Sequence, residues 1–283
     1  MNKNILISYS TTSIFILLWG AAAIFTKLGL NNSSPIILLV FRFLIALICI
    51  IAIGLFHHKL LPQKGTIKQV LLSGSLIVGG YSVCYFQAMA HGVTPGLIAT
   101  IMGIQPIFTF FILEKRINIV KLFGLFVALS GLVILVWKSL STSHISPLGI
   151  SFSLVALFCM TSGTILQKNI TQHPTQILPL QYTIGLIISL FFLPLENIKI
   201  IVNWEFITSI LFLGFFISVI AQILFYKLLK QKNIVNVTSL FYLVPVVTAL
   251  LDYFILGNKL PLSGLIGMFL IISGIFIVFK LKY

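Results

Sequence analysis

The sequence predicts an all-α integral membrane protein with ten transmembrane helices. Of its 283 residues, 59% are hydrophobic and only 8% are charged, and the mean hydropathy is +1.16. A soluble domain of this length would need several times more charge to cover its surface. The apolar residues also fall into ten runs of a length that suits a helix crossing a bilayer.

The ten apolar runs fill the chain and leave no room for a separate soluble domain. Turn-forming residues such as 31–35 and 62–65 separate the runs. The predicted helices span 5–30, 36–56, 70–90, 97–113, 118–138, 147–167, 176–194, 205–229, 234–256 and 262–280.

Basic residues outnumber acidic ones, with 18 Lys and Arg against 4 Asp and Glu. Because these cations lie between apolar spans, they indicate loop charges that set membrane topology and argue against nucleic acid as a partner. With ten crossings, 13 of the 18 fall on the side that holds both termini and three on the other. We therefore expect both termini in the cytoplasm of a multi-pass inner (plasma) membrane protein.

The two halves of the chain, 1–140 and 141–283, resemble each other. Since each half contributes five spans, the second half must insert upside down relative to the first, which predicts a 5+5 inverted repeat. Many secondary transporters use this construction for alternating access. Pro35 matches Pro174 and Pro106 matches Pro245 at one common offset along the chain, and Ser130-Gly131 matches Ser273-Gly274 at a slightly larger one.

Several short patterns together resemble the drug/metabolite transporter superfamily, EamA type. They are Leu18-Trp19-Gly20 followed by Lys27, Pro35 with Arg42-Phe43, Gln105-Pro106, Pro245, and the glycines Gly264, Gly267 and Gly274. The resemblance covers essentially the whole chain and implies a central cavity, transport of small metabolites and no bound cofactor. The chain departs from the family pattern after the fourth and ninth helices, where it has Leu113-Glu114-Lys115 and Gly257-Asn258-Lys259 instead of a Gly-Glu pair.

Three ionisable side chains are predicted inside spans: Lys27, Arg42 and Asp252. A charge at the bilayer centre costs roughly 2.5 to 3.5 kcal/mol, so each residue invites a functional interpretation. Lys27 either extends to the outer headgroups or takes part in coupling. Arg42 faces a cavity or an ion-pair partner, and Asp252 neutralises a cation or carries protons.

Other side chains are candidates for contact with a solute, although ordinary interhelical packing is the alternative for most of them. Pro106 and Pro245 are expected to interrupt their helices beside the substrate, since proline removes a backbone donor. The histidines fall in loops or at helix ends, so no metal site is predicted. The candidate contacts are Trp19, Tyr81, Tyr85, Gln105, Gln222, Tyr226 and Tyr242.

These features favour a secondary transporter for a small solute, and they favour an amino acid or a related zwitterionic or acidic metabolite as that solute. Two intramembrane cations against one acid leave one cation to meet an anionic group of the solute. An exporter of drugs or polyamine-type cations is the alternative within the same class. An intramembrane enzyme is disfavoured, because such chemistry needs paired acids or a nucleophile with a base, whereas the spans hold one acid and the histidines fall in loops or at helix ends. The expected partners are the lipid bilayer and a small-molecule solute, in a monomer or homodimer.

Overall fold

The computed structural model describes residues 3–56, 60–114, 117–137, 146–256 and 261–280, with side chains from residue 10 onward except 252 and 254–256. The described chain forms ten helices. The first five are α1 (Lys3–Asn32), α2 (Pro35–Phe56), α3 (Ile67–Ala90), α4 (Pro95–Leu113) and α5 (Ile119–Leu135). The second five are α6 (Pro147–Lys168), α7 (Pro174–Phe192), α8 (Trp204–Gln231), α9 (234–256) and α10 (Leu262–Lys280).

Each predicted span coincides with one of these helices, and the all-α membrane class predicted from the sequence is confirmed. Within the described residues, nine helices are long and apolar enough to cross a bilayer, and α5 is a shorter apolar helix. Large apolar side chains cover the outside of the bundle: Phe269 of α10 is 70% exposed and Phe191 of α7 is 73% exposed. Such a surface suits lipid as the solvent.

Polar caps set several helix starts that hydropathy locates only approximately. Thr94 accepts a hydrogen bond from the backbone at the start of α4, and Asn118 does the same for α5. Asn203 and Asn233 cap α8 and α9. These caps satisfy backbone N–H groups that have no partner within the helix.

Four of the helices are irregular near their middles. α3 contains a π-helical segment at Ser75–Gly80, and α8 contains one at Phe212–Ala221. α4 is interrupted between Met102 and Gln105, and α9 passes through a 3-10 turn at Leu240–Tyr242. Such departures from α-helical geometry often occur at functional sites.

The described beginning of α1 and the described end of α10 lie at one end of the bundle, here called the terminal end. Lys232 follows α8, and its Nζ atom donates to Thr12 Oγ1 of α1 at 3.2 Å. The same ammonium lies 5.9 Å from the ring centroid of Phe279, at the last turn of α10. The beginning of α1 and the end of α10 therefore meet at this end.

The opposite, far end holds the α1–α2 connection and the segment before α8. Asn203 donates to Asn32 Oδ1 at 2.6 Å, and Asn32 in turn donates to Glu205 Oε2 at 2.9 Å. Glu196 accepts from the backbone N–H of Ile36 and from Gln87 Nε2, both at 2.8 Å. These bonds join the end of α1 to the start of α8, and they join the segment after α7 to the start of α2 and the end of α3.

Helices α5 and α10 pack with their backbones in direct contact. A Cβ atom on Gly131 would lie 2.7 Å from the carbonyl oxygen of Gly267, and one on Gly124 would lie 2.9 Å from that of Gly274. Small residues permit this approach, which membrane helices use for packing.

Candidate functional site

A cavity of about 910 Å³ occupies the middle of the bundle and reaches the far end. Its mouth includes Asn31, Pro95 and Pro261, which lie at far-end termini of their helices. Its deepest lining includes Trp19 of α1 and Phe241 in the 3-10 turn of α9. The cavity is large enough for a small metabolite.

Seven of the predicted residues line this cavity. They include the two cations and one proline, and they come from α1, α2, α3, α4 and α9. The seven are Trp19, Lys27, Arg42, Tyr81, Tyr85, Gln105 and Pro245.

Arg42 is held at one edge of its guanidinium group. Its Nε atom donates to Ser218 Oγ of α8 at 2.8 Å. The guanidinium carbon lies 5.6 Å from the Phe86 ring centroid and 5.7 Å from that of Phe43, within cation–π range. The described residues supply no acidic partner to Arg42, so its remaining N–H groups can bind an anionic group in the cavity.

Ser218 is a functional candidate in addition to the residues predicted from the sequence. It lies in the π-helical segment of α8, and its backbone carbonyl accepts a hydrogen bond from the Tyr182 hydroxyl of α7. Ser218 thereby links Arg42 to Tyr182. In the sequence, Tyr182 is signalled only by its position. It matches Phe43 of the first half at the offset that relates Pro35 to Pro174.

Aromatic side chains form the floor of the cavity. Four rings, from Phe15, Trp19, Phe225 and Phe241, all contact one another with centroid separations between 5.1 and 5.8 Å. Trp19 and Phe241 line the cavity, whereas Phe15 and Phe225 are fully buried beneath them. Contacts of this kind stabilise the closed floor beyond the area that they bury.

Lys27 is exposed and lines the cavity toward its mouth. Gln105 is buried beside Pro106 at the start of the second segment of α4, with its Nε2 atom 3.5 Å from Thr164 Oγ1 of α6. Pro106 lies in the first turn of that segment, and Pro245 lies in the first turn of the α9 segment that starts at Leu243. The two prolines thus follow the two helix interruptions.

The other predicted residues lie elsewhere or outside the described side chains. Gln222, Tyr226 and Tyr242 are buried but do not line the cavity. The Tyr226 hydroxyl donates to Gln181 Oε1 at 2.8 Å. Asp252 lies in α9, one helical turn after Thr248 of the cavity wall, and its side chain is outside the described residues.

The terminal end is closed by lysines that bind the ends of helices. Lys168, the last residue of α6, donates to carbonyl oxygens of Leu229 and Lys232 at the end of α8. Lys230 of α8 donates to the carbonyls of Thr171 and Gln172, just after α6. Cations are favourable at helix C-termini, so this reciprocal arrangement holds α6 against α8.

Two further contacts complete the terminal end. Lys121 is buried in α5 and pairs with Glu114 at 2.7 Å, so it is more than a solvated loop charge. Asn233 Nδ2 donates to the same carboxylate at 3.3 Å. Partial burial lowers the pKa of the Lys232 ammonium below its ordinary value.

A bundle of apolar helices around a polar and aromatic cavity, open toward one end and closed at the other, defines the class of membrane transport proteins. The model of the EamA-like transporter family matches residues 7–137 and again 147–280. The chain belongs to this family, and the resemblance predicted from its sequence is confirmed. It is a multi-pass protein of the inner membrane.

Relatives cover nearly the whole chain at low identity. A probable amino-acid metabolite efflux pump of Salmonella typhimurium is 28% identical over 93% of this chain and 92% of its own length. A protein of Escherichia coli with the same description is 26% identical over 95% and 94%. One crystal structure superposes with a TM-score of 0.77 at 18% identity, covering 96% of this chain and 97% of the other, and so shares the fold. The family and these names indicate a transporter rather than an enzyme.

Proposed function

We propose that this protein is a secondary transporter for an amino acid or a related zwitterionic or acidic metabolite. The observation that carries this proposal is the Arg42 guanidinium, which lines the cavity and is bound only at Nε, to a serine, within the described residues. A guanidinium fork binds a carboxylate with two parallel hydrogen bonds. The names of the two efflux-pump relatives support the same class of solute.

The aromatic floor suits the remainder of such a solute. Trp19 and Phe241 line the cavity close to its deepest point, and Tyr81 and Tyr85 stand beside Arg42. An apolar side chain of the solute would bury against these rings while its acidic group binds Arg42. A polyamine-type cation lacks support here, because no carboxylate appears among the described cavity-lining side chains.

Alternating access would use the two halves as an inverted repeat. The two matches to the family model support this arrangement, as do the π-helical segments in α3 and α8 and the interruptions in α4 and α9. Each feature occurs once in each half, in the same helix counted from the start of that half. The bias of basic residues supports a cytoplasmic terminal end, so the cavity would face outward in this conformation.

Glycine contacts between the two halves also support the inverted repeat. At the offset that relates Gly131 to Gly274, the counterpart of Gly124 is Gly267. Gly124 contacts Gly274, and Gly131 contacts Gly267, so each glycine meets the counterpart of the other. This reciprocal pattern is the one that a two-fold axis produces.

Proton coupling is proposed to run through Asp252, the one carboxylate predicted inside a span. Its position in α9, one turn beyond the cavity-lining Thr248, supports a location close to the transport path.

A matched set of solutes tests the proposed specificity. Purified protein in liposomes loaded with L-leucine should exchange it for external labelled L-leucine or its amine-free analogue 4-methylpentanoate. 3-Methylbutylamine, which keeps the amine and lacks the carboxylate, should neither exchange nor compete. Preferred exchange of the amine would overturn the proposal and favour the cation exporter.

A further inference from the structure

Gln181 of α7 is fully buried, and its amide bonds three other helices. Nε2 donates to Ser73 Oγ of α3 at 2.8 Å and to Gln167 Oε1 of α6 at 2.9 Å. Oε1 accepts from the Tyr226 hydroxyl of α8 at 2.8 Å. This cluster, here called the Gln181 network, lies between the cavity and the terminal end, because α7 begins at the terminal end only two helical turns earlier.

Gln181 occupies the position in the second half that matches Arg42 in the first, at the offset that relates Pro35 to Pro174. Arg42 of α2 bonds Ser218 of α8 and lies beside tyrosines of α3. Gln181 of α7 bonds a serine of α3 and a tyrosine of α8. An inverted repeat exchanges α2 with α7 and α3 with α8, so the two surroundings correspond helix by helix.

The two positions are also linked through Ser218 and the neighbour of Gln181 in the sequence. Tyr182, next to Gln181 in α7, donates to the carbonyl of the same Ser218 whose hydroxyl binds Arg42. The ring of Tyr182 lies 5.9 Å from the ring of Phe43, its own counterpart in α2. A side chain that touches its counterpart lies near the symmetry axis, so Arg42 and Gln181 flank that axis.

One buried polar group beside the Gln181 network is poorly satisfied. The Nε2 amide of Gln222, one turn before Tyr226 in α8, is only 5% exposed and lies near the Tyr226 hydroxyl, but it makes no hydrogen bond of good geometry within the described part of the chain. An unpaired buried donor is costly. It indicates a site where another state of the protein, or a ligand, supplies the missing acceptor.

We propose that Gln181, Ser73, Tyr226 and Gln222 form a second solute subsite, shut in this conformation, that receives the carboxylate of the solute when the terminal end opens. All four offer N–H or O–H donors, which match the oxygen atoms of an acidic group. The assignment rests on the proposed carrier function, because only a carrier that opens to both sides exposes this network.

The Arg42 subsite is cationic and the Gln181 subsite is neutral, so the affinity for the solute should differ between the two sides of the carrier. A guanidinium adds a charge–charge attraction and a paired geometry to its hydrogen bonds with a carboxylate, whereas neutral donors offer the same carboxylate hydrogen bonds alone. The solute should therefore bind more weakly from the terminal side, with a KM there roughly tenfold higher than from the far side.

Side-specific cysteine labelling tests the subsite without reference to the solute. Ser73→Cys and Tyr226→Cys would each be placed in a variant whose three native cysteines are replaced by alanine. A membrane-impermeant thiol reagent would be applied to right-side-out and inside-out vesicles. Ser239→Cys is the matched control, because Ser239 is equally buried, lies less than two turns from the terminal-end start of α9, and bonds the carbonyl of Asn236 in its own helix.

We expect both test variants to react from the terminal side at least several-fold faster than the control. Reaction no faster than the control, or reaction from the far side alone, would overturn the subsite. Such a result would leave exchange of L-leucine for 4-methylpentanoate unaffected, so failure of the subsite is distinguishable from failure of the proposed function.

Kinetics with L-leucine provide a second test. Gln181→Ala should raise the KM several-fold for leucine offered at the terminal side and change the far-side KM less than twofold. Arg42→Gln should raise the far-side KM several-fold and change the terminal-side KM less than twofold. Equal changes on both sides in Gln181→Ala would assign the network a purely structural role.

Discussion

The Nε atom of Arg42 donates to the hydroxyl of Ser218 at 2.8 Å, which fixes one edge of the guanidinium and leaves the other edge toward the cavity. The serine lies in the π-helical segment of α8, on the second half of the chain. The bond therefore joins the two halves at the point where the solute is proposed to bind.

Removal of this bond should weaken solute binding more than turnover. A hydrogen bond to a charged group contributes about 1.5 to 3 kcal/mol, so Ser218→Ala should raise the far-side KM for leucine roughly tenfold with a smaller change in maximal rate. Ser218→Thr keeps the hydroxyl and should restore the KM. Ser189→Ala removes a buried serine away from Arg42 and should leave the KM unchanged. Equal KM values for the alanine and threonine variants would contradict a positioning role.

Two variants of Arg42 should separate the contribution of its charge to solute binding from that of its forked geometry. Arg42→Lys keeps the cation and loses the fork, so we expect roughly tenfold weaker exchange of leucine in liposomes. Arg42→Gln also loses the charge and should weaken exchange further. Normal exchange by both variants, with intact insertion, would reduce Arg42 to a structural contact.

The glycines of α5 and α10 should differ sharply in their tolerance of alanine. In Gly131→Ala the new Cβ would lie 2.7 Å from the Gly267 carbonyl oxygen, a backbone atom that cannot rotate away. We expect a loss of about 1 to 3 kcal/mol in stability, measured as a lower Tm in detergent. In Gly264→Ala the nearest atom lies 3.5 Å away, so the Tm should stay close to that of the parent protein. Similar Tm values for the two variants would contradict the backbone contact.

Topology can be measured independently of transport. Reporter fusions after Lys64 and Lys232 should report the cytoplasm, and a fusion after Lys199 should report the outside, because the basic residues concentrate at the terminal end. A cytoplasmic signal after Lys199 would show that the assigned orientation is wrong.

Coupling through Asp252 predicts a separation of two activities. Asp252→Asn cannot bind and release a proton, so accumulation of leucine driven by a pH gradient should be lost. Exchange of leucine for leucine needs no net proton movement and should persist. Accumulation at the parental level would assign coupling to another ion or make the protein a facilitator.

The sequence by itself determined the membrane class, the ten spans and the family. These follow from local properties, since an apolar run of bilayer length must satisfy its backbone as a helix whatever its neighbours are. It also singled out Arg42, because a cation inside a transmembrane helix raises the free energy of insertion and usually marks a functional site. Pro106 and Pro245 drew attention to α4 and α9 for the same local reason, the missing backbone donor.

The tertiary structure decided which polar side chains meet. Tyr85 lines the cavity and Tyr226 is buried in the Gln181 network, although both are tyrosines in comparable helices. The rotation and tilt of each helix depend on contacts that are distant in sequence. They place Tyr85 at the cavity and Tyr226 in the Gln181 network. Ser218 acquires its role only because packing brings α2, α7 and α8 together at one residue.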